Sequence, residues 1–178
     1  MNSDNPYAPP KAVVADVVAK QERQQEGKRL GGWLILVGLG VVLSPVAMVV
    51  SVFPVYFNMF SSGHWTEIAT PGSENYNALL AVVVLGEITL NGILFIVRIF
   101  LAVLFFSKKT TFPKWYIGVM LFSLAFIVAD AFMVKLALPD KPVFDPQTAK
   151  ELGRTLGTCL IWVPYMLVSK RVKETFIK

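Results

Sequence analysis

The sequence predicts an all-α, polytopic membrane protein with four transmembrane helices and both termini in the cytoplasm. Three observations predict it: four long apolar runs, a charged content of only 16%, and Lys and Arg residues gathered beside alternate ends of those runs. Soluble domains carry about 25% charged residues, whereas a helix that crosses a bilayer needs about 20 mainly apolar residues. The runs are continuous rather than alternating in polarity, which favours helices over the strands of a barrel.

A polar tail, residues 1–30, precedes the first apolar run. Residues 13, 14, 17 and 18 are valines at helical spacing, and the polar residues 20–26 follow them, which predicts a short amphipathic helix. Two interpretations stay open: a frayed juxtamembrane tail, or a helix that binds the membrane interface or a partner. The apolar run that follows is longer than the core of a signal peptide, about 7–15 residues, so we interpret it as a retained signal anchor.

The four spans are predicted over about residues 31–57, 78–107, 115–138 and 152–168, within a membrane domain of residues 31–169 that a basic tail, residues 170–178, follows. The first span contains Ser44-Pro45, which predicts a kink. The fourth is the least apolar, because Arg154 and Pro164 interrupt it. Asp145 as N-cap and Pro146 at the first helical position predict that this helix begins outside the bilayer, where its charged first turns are tolerated.

The positive residues predict the orientation. Twelve of the seventeen Lys and Arg residues fall on one side when the spans alternate, and the loop over residues 58–77 contains none. The twelve are Lys11, Lys20, Arg23, Lys28, Arg29, Lys108, Lys109, Lys114, Lys170, Arg171, Lys173 and Lys178. Because short cytoplasmic loops carry an excess of Lys and Arg, this side is predicted to be cytoplasmic.

Four sequence elements carry a resemblance to a known family. They are Gly31-Gly32-Trp33-Leu34-Ile35-Leu36 with Leu43-Ser44-Pro45, then Thr70-Pro71-Gly72-Ser73, then Phe112-Pro113-Lys114-Trp115-Tyr116-Ile117, and finally the segment from Ile161 to Lys173. In this order, over about residues 30–177, they resemble the bacterial inner-membrane proteins grouped as domain-of-unknown-function family 2569. The resemblance implies four spans and a bacterial inner-membrane location. It implies no substrate and no catalytic residues.

Polar residues inside the spans are the candidate site. Glu87, Asn91 and Arg98 lie at about 0°, 40° and 20° around the second span, so they share one face. Asp130 of the third span lies at about the same depth as Glu87, about 12–14 Å from the outer boundary. The sharper hypothesis is a proton- or cation-binding carboxyl pair. The alternative is that both carboxyl groups accept hydrogen bonds that hold the bundle together, from Asn91, Thr89, Thr155 or Thr158.

Arg98 and two pairs of small residues complete the candidates. Arg98 is expected to reach either a lipid headgroup or a carbonyl of the first span that Pro45 leaves without a donor. Gly153 with Gly157, and Gly40 with Ser44, are small residues four positions apart, a spacing that lets helix backbones approach closely. Packing within the chain is favoured over packing between chains, because a four-helix chain must first pack itself.

The sequence lacks the residues that several classes of function require. The chain has one cysteine, Cys159, and one histidine, His64, so neither a zinc site nor an internal disulfide is predicted. No Gly-rich phosphate loop and no Ser/His/Asp set occurs, so we expect no enzymatic activity and no cofactor. Nucleic-acid binding is not expected despite the net charge of +5, because the positive residues flank apolar runs instead of lying on one folded face.

Three functional hypotheses remain. The first is a non-enzymatic accessory or assembly component that binds a membrane-protein partner or further copies of itself. The second is a small oligomeric transporter or channel subunit with a proton or cation site at Glu87 and Asp130. The third, an enzyme acting on lipid, is weakest, since only Glu67 and Glu74 in the outer loop offer acidic groups near an interface. The sequence favours the first.

Overall fold

The computed structural model describes residues 30–177, and every regular element among them is a helix. The helices are α1 (Trp33–Ser61), α2 (His64–Ala69), α3 (Ala78–Phe106), α4 (Phe112–Ala137), α5 (Pro146–Val168) and α6 (Lys170–Thr175). The predicted all-α class is therefore confirmed for this part of the chain. The amphipathic helix predicted over residues 13–26 lies outside the described residues.

Three of the helices are long and apolar enough to cross a membrane. They are α1 and α3, with 29 residues each, and α4, with 26 residues. At 1.5 Å per residue they extend about 39–43 Å, more than the hydrocarbon core of about 30 Å. The predicted fourth span corresponds to α5, which has 23 residues but carries charged residues in its first half.

The helix boundaries follow from local sequence. α1 runs four residues beyond the predicted end, to Ser61, and Gly63 then turns the chain with a φ of 83° before α2 begins. Positive φ favours glycine, because a Cβ atom would clash there. Pro45 and Pro54 both lie inside α1, so two of its backbone carbonyls lack their usual N–H donor.

Two side chains cap helices on the same side of the bundle. Asn77 accepts a hydrogen bond from the backbone N–H of Leu80 at 3.0 Å, and its own amide donates to the carbonyl of Ala137 at 2.7 Å. It thereby starts α3 and ties that start to the end of α4. Asp145 accepts from the N–H of Thr148 at 2.7 Å with Pro146 at the first helical position, which confirms the predicted start of α5.

Each long helix packs against the next long helix in the chain: α1 against α3, α3 against α4, and α4 against α5, with the short α2 contacting both α1 and α3. The largest buried cluster lies where α1 and α4 begin and α3 and α5 end. It consists of Leu34, Val37, Val41, Leu101, Leu104, Phe105, Phe112, Met166, Val172 and Phe176. The last two come from α6 and the residue after it, so the C-terminal segment closes this end of the bundle.

Within α1, Gly38 packs tightly against another helix, whereas the glycines of the predicted small-residue pairs do not. A Cβ atom at Gly38 would lie 2.8 Å from the ring of Phe105. At Gly40, Gly153 and Gly157 a Cβ atom would meet nothing within 4 Å in the described chain, so the expected close contacts within the chain are not formed there. Gly40 instead borders a cavity between the helices, together with Ser44.

Candidate intramembrane site

A polar cavity of about 330 Å³ lies between α1, α3, α4 and α5. All four intramembrane polar residues singled out in the sequence line it: Glu87, Asn91, Arg98 and Asp130. Further polar side chains come from α1, α4 and α5: Ser51, Tyr56, Ser123, Gln147, Thr148, Glu151 and Thr155. A cavity with this many hydrogen-bonding groups is suited to hold water or a polar ligand.

Glu87 and Asp130 lie close together in this cavity, beside a hydrogen-bonded pair of side chains. The Asn91 amide donates to the Tyr56 hydroxyl at 3.0 Å. The Tyr56 hydroxyl is near the Glu87 carboxyl group, which in turn is near the carboxyl group of Asp130. Side chains of α1, α3 and α4 therefore meet in one polar cluster.

The helix geometry explains why these groups meet. Glu87 and Asn91 are one helical turn apart, so both project from the same face of α3. Asp130 lies seven residues before the end of α4, and Glu87 nine residues after the start of α3. Because α3 and α4 are joined by a short loop and run in opposite directions, these positions lie at a similar depth, about 10–14 Å from the helix ends.

The proximity of Glu87 and Asp130 restricts the protonation state of the two carboxyl groups. Two ionised carboxylates repel each other, so a hydrogen bond between them requires that they share a proton. With one proton shared, the pair carries a single negative charge and titrates as a unit.

Arg98 lies on the same face of α3 as Glu87 and Asn91, but its side chain extends to α1. Its guanidinium donates to the backbone carbonyl of Ser44 in α1 at 3.4 Å. The expectation that Arg98 reaches a carbonyl of the first span left without a donor by Pro45 is met only in part, because the bond goes to the first span but to another carbonyl. Pro45 deprives the carbonyl of Val41 of its donor, and that carbonyl accepts a hydrogen bond from the Ser44 hydroxyl at 3.2 Å.

Two of the three threonines proposed as donors to the carboxyl groups donate within their own helices instead. The hydroxyl of Thr89 donates to the carbonyl of Leu85, and that of Thr158 to the carbonyl of Arg154, both at 2.8 Å within their own helices. Asn91 donates to Tyr56 and not to a carboxylate. Of the proposed donors only Asn91 and Thr155 line the cavity.

Among the lining residues that sequence reasoning missed, Tyr56 and Glu151 matter most, since each adds a titratable group. Tyr56 lies five residues before the end of α1, where a tyrosine ordinarily marks the membrane interface. Glu151 belongs to the charged first turns of α5, which the sequence suggested lie in water. The available signal was the helical period of α5, since Thr148, Glu151 and Thr155 fall three and four residues apart on one face.

The remaining candidates have local roles. His64 Nδ1 lies 3.6 Å from the Glu67 carboxylate, in the exposed helix α2. The buried thiol of Cys159 contacts the carbonyl of Met120 at 3.7 Å and so joins α5 to α4. Within residues 30–177, no three His, Cys, Asp or Glu side chains are arranged to hold a metal ion.

The comparisons with known proteins identify a family. No curated protein and no solved structure matches the chain. The sequence model of a family described as "Protein of unknown function (DUF2569)" matches residues 27–177, nearly the whole chain. This match confirms the resemblance that the four sequence elements carry, and the chain therefore belongs to the DUF2569 family.

Proposed function

We propose that this protein is a four-span protein of the bacterial inner membrane, with both termini cytoplasmic, that binds and releases a proton in its central cavity. In this proposal it is a non-enzymatic subunit of a small oligomeric transporter or channel. The observation that carries the proposal is the close approach of the Glu87 and Asp130 carboxyl groups inside a polar cavity between four helices.

The placement of charges in α5 supports its role as a fourth span. Its 23 residues extend about 35 Å, enough to cross the hydrocarbon core. Charged side chains within a span usually face the interior of the bundle. Glu151 and Arg154 are exposed, but both border cavities between the helices, so their charged ends can face the interior of the bundle.

The distribution of Lys and Arg supports the orientation. Lys108, Lys109 and Lys114 lie between α3 and α4, and Lys170, Arg171 and Lys173 follow α5. Residues 58–77, which contain α2, have no Lys or Arg. The excess of positive charge therefore lies at the end of the bundle that carries the Phe105 and Phe176 cluster, and that end is cytoplasmic in this proposal.

The lining of the cavity supports a proton or small cation as the ligand. Three acidic residues, Glu87, Asp130 and Glu151, border it, against one guanidinium, that of Arg98. Gln147 and Thr148 of the first turn of α5 also line it, so the cavity extends towards the surface at which α5 begins. Four helices are few for a monomeric transporter, which is why the proposal includes oligomerisation.

The test combines infrared spectroscopy with a flux assay on purified protein. We expect the wild type to show the carbonyl band of a protonated carboxylic acid at neutral pH, and to carry protons across proteoliposome membranes that contain a pH-sensitive dye. The variant Glu87→Gln with Asp130→Asn should lose both signals. The matched control is Glu74→Gln, which neutralises an exposed glutamate in the loop between α2 and α3.

The proposal is wrong if the double variant elutes as a monodisperse species with unchanged helicity and retains both the band and the flux. A wild type without the band would equally contradict it, because the shared proton would then be absent. Single variants add a check: either one alone should remove the shared proton, since each deletes half of the pair.

A second candidate, an accessory or assembly component, is favoured by the exposure of α4. Only 6% of the most apolar window of α4 is buried within the chain, against 22% for α1 and α3. A membrane partner or a second copy is suited to cover this surface. A stoichiometric membrane protein that copurifies in mild detergent, and is retained by the double variant, would support this role without an ion site.

A further inference from the structure

We call the polar cavity that contains Glu87, Asp130 and Glu151 the acidic cavity. A second cavity, of about 270 Å³, adjoins it and shares Arg98, Ser123 and Thr155 with it. This second cavity lies between the same four helices, on the side of the phenylalanine cluster, and we call it the basic cavity. Its polar lining consists of Arg98 and Arg154 with the hydroxyl groups of Ser44, Tyr116, Ser123, Thr155 and Thr158.

The lining of the basic cavity contains two guanidinium groups and no carboxylate. Among residues 30–177, neither Arg98 nor Arg154 forms an ion pair with a carboxylate. Glu151 of the acidic cavity acts electrostatically on Arg98 and compensates part of its charge. Arg98 is half-buried, whereas Arg154 remains exposed. A positive charge within a membrane protein is costly unless an anion neutralises it, so the remaining charge favours a bound anion.

The Arg98 guanidinium is held in place, with most of its donors still available. One of its N–H groups reaches the Ser44 carbonyl, which anchors the side chain against α1. A guanidinium carries five N–H donors in a fixed plane and binds a carboxylate through two parallel hydrogen bonds. Arg154 enters the same cavity from α5, so a bound anion can contact guanidinium groups of two helices.

The rest of the lining is apolar and selects among anions. It includes Val37, Leu101, Met120 and Trp162. A phosphate or another fully hydrated ion would have to lose water against these side chains, at a cost in free energy. A carboxylate that carries an apolar body would instead gain from their contact.

We infer that the basic cavity binds a small monocarboxylate with an apolar body, its carboxylate held between Arg98 and Arg154. This inference goes beyond the proposed proton site, because it does not require a proton on Glu87 or Asp130. Where both hold, the two ligands occupy adjacent cavities that meet at Arg98.

Titration calorimetry on the full chain in nanodiscs tests the inference, with benzoate and butyrate as probes. We expect saturable binding of one probe molecule per chain. Arg98→Gln and Arg154→Gln should each weaken it about tenfold or more, since each removes a bidentate partner. The matched control is Lys150→Gln, which removes a positive charge from α5 outside both cavities and should leave binding unchanged.

Conservative variants keep the test decisive if an Arg→Gln variant fails to fold. Arg98→Lys and Arg154→Lys retain the charge but lose the planar donor pair, so binding should weaken but persist. Inorganic phosphate should bind more weakly than benzoate. Myristate is a further probe, because a fatty acid enters from the membrane whereas benzoate and butyrate enter from water. Binding of either kind of carboxylate supports the carboxylate site.

Three results would overturn the inference: no saturable binding of any carboxylate probe to the wild type, equal binding to folded Arg98 and Arg154 variants, or tighter binding of phosphate than of benzoate. The variant Glu87→Gln with Asp130→Asn separates this inference from the proposed function. If this double variant keeps its infrared band and its proton flux, the proton site is refuted. If it also still binds benzoate, the carboxylate site stands.

Discussion

Gly38 is the single residue on which the contact between α1 and α3 depends most directly. It is buried, and the ring of Phe105, itself 2% exposed, occupies the space where a Cβ atom would lie. Phe105 also contacts Phe112 and Phe176, with ring centroids 5.1 and 5.7 Å away. The ring therefore has little room to move, and added volume at residue 38 must displace α1 itself.

Gly38→Ala is expected to destabilise the protein by about 1–3 kcal/mol, the usual cost of extra volume in a packed core. Gly40→Ala is the matched control, since its Cβ atom would meet nothing within 4 Å and alanine favours the helix by up to about 1 kcal/mol. Unfolding in a denaturing detergent series measures both. Equal stability of the two variants would show that the approach at Gly38 is not tight.

At this scale the sequence predicted which polar residues share a face, but not what they touch. The helical period of α3 placed Glu87, Asn91 and Arg98 together, and all three line the acidic cavity with Asp130. Tyr56 escaped prediction because a tyrosine near a span end is equally suited to the interface. Its contact with Asn91 depends on how α1 is rotated against α3, which one-dimensional spacing does not encode.

Among the helices, the start of α5 depends on a titratable cap. The pKa of Asp145 is lowered from its ordinary value, chiefly because the Thr148 backbone N–H donates a hydrogen bond to the carboxylate. A lowered folded pKa means that the cap contributes stability above the unfolded pKa of about 3.9. That contribution is lost as the pH falls through the folded value.

We therefore expect the melting temperature of the wild type to fall as the pH drops below about 4, partly through this cap. Asp145→Asn should keep the cap and remove its share of the pH dependence, because asparagine accepts the same hydrogen bond without a charge. Asp145→Ala should melt lower than both at neutral pH. A pH profile of Asp145→Asn that superimposes on the wild type would contradict the assigned role.

The C-terminal segment stabilises the other end of the bundle. Phe176 is 4% exposed and stacks on Phe112 with ring centroids 4.7 Å apart. Val172 of α6 is also buried in this cluster. The segment thereby covers apolar side chains of α1, α3 and α4 that water would otherwise contact.

Phe176→Ala should cost about 3 kcal/mol of stability, near the lower end for a buried phenylalanine. Phe57→Ala is the control, because that side chain is 62% exposed in α1 and loses mainly its contact with Phe53. Thermal unfolding in detergent compares the two. A Phe176 variant as stable as the Phe57 variant would mean that the C-terminal segment does not hold the bundle closed.

Boundaries were predictable where a residue has a strong local preference and less so elsewhere. Asp145 with Pro146 marked the start of α5 correctly. The end of α1 was placed early, since residues 58–61 are no longer strongly apolar and the helix continues until the turn at Gly63. The closing role of α6 could not be read from the sequence, because a basic tail of this length looks like a solvated terminus.

In the whole molecule, the two adjoining cavities have opposite charge. The acidic one contains Glu87, Asp130 and Glu151, and the basic one contains Arg154, with Arg98 bordering both. The phenylalanine cluster lies beyond the basic cavity, whereas the first turn of α5 opens towards the acidic one. Composition predicted the membrane class, but this arrangement depends on contacts between four helices and so required the structure.

The sidedness of this arrangement depends on α5 crossing the bilayer, and cysteine labelling in intact cells tests it. In a Cys159→Ser background, Ser62→Cys, Thr110→Cys and Lys173→Cys introduce thiols at exposed positions between α1 and α2, between α3 and α4, and in α6. A membrane-impermeant maleimide should label only Ser62→Cys in intact cells, and all three after lysis, because positive residues surround the other two positions. Labelling of Lys173→Cys from outside would mean that α5 does not cross the bilayer. Labelling of Thr110→Cys instead of Ser62→Cys would show that the orientation is the opposite of the proposed one.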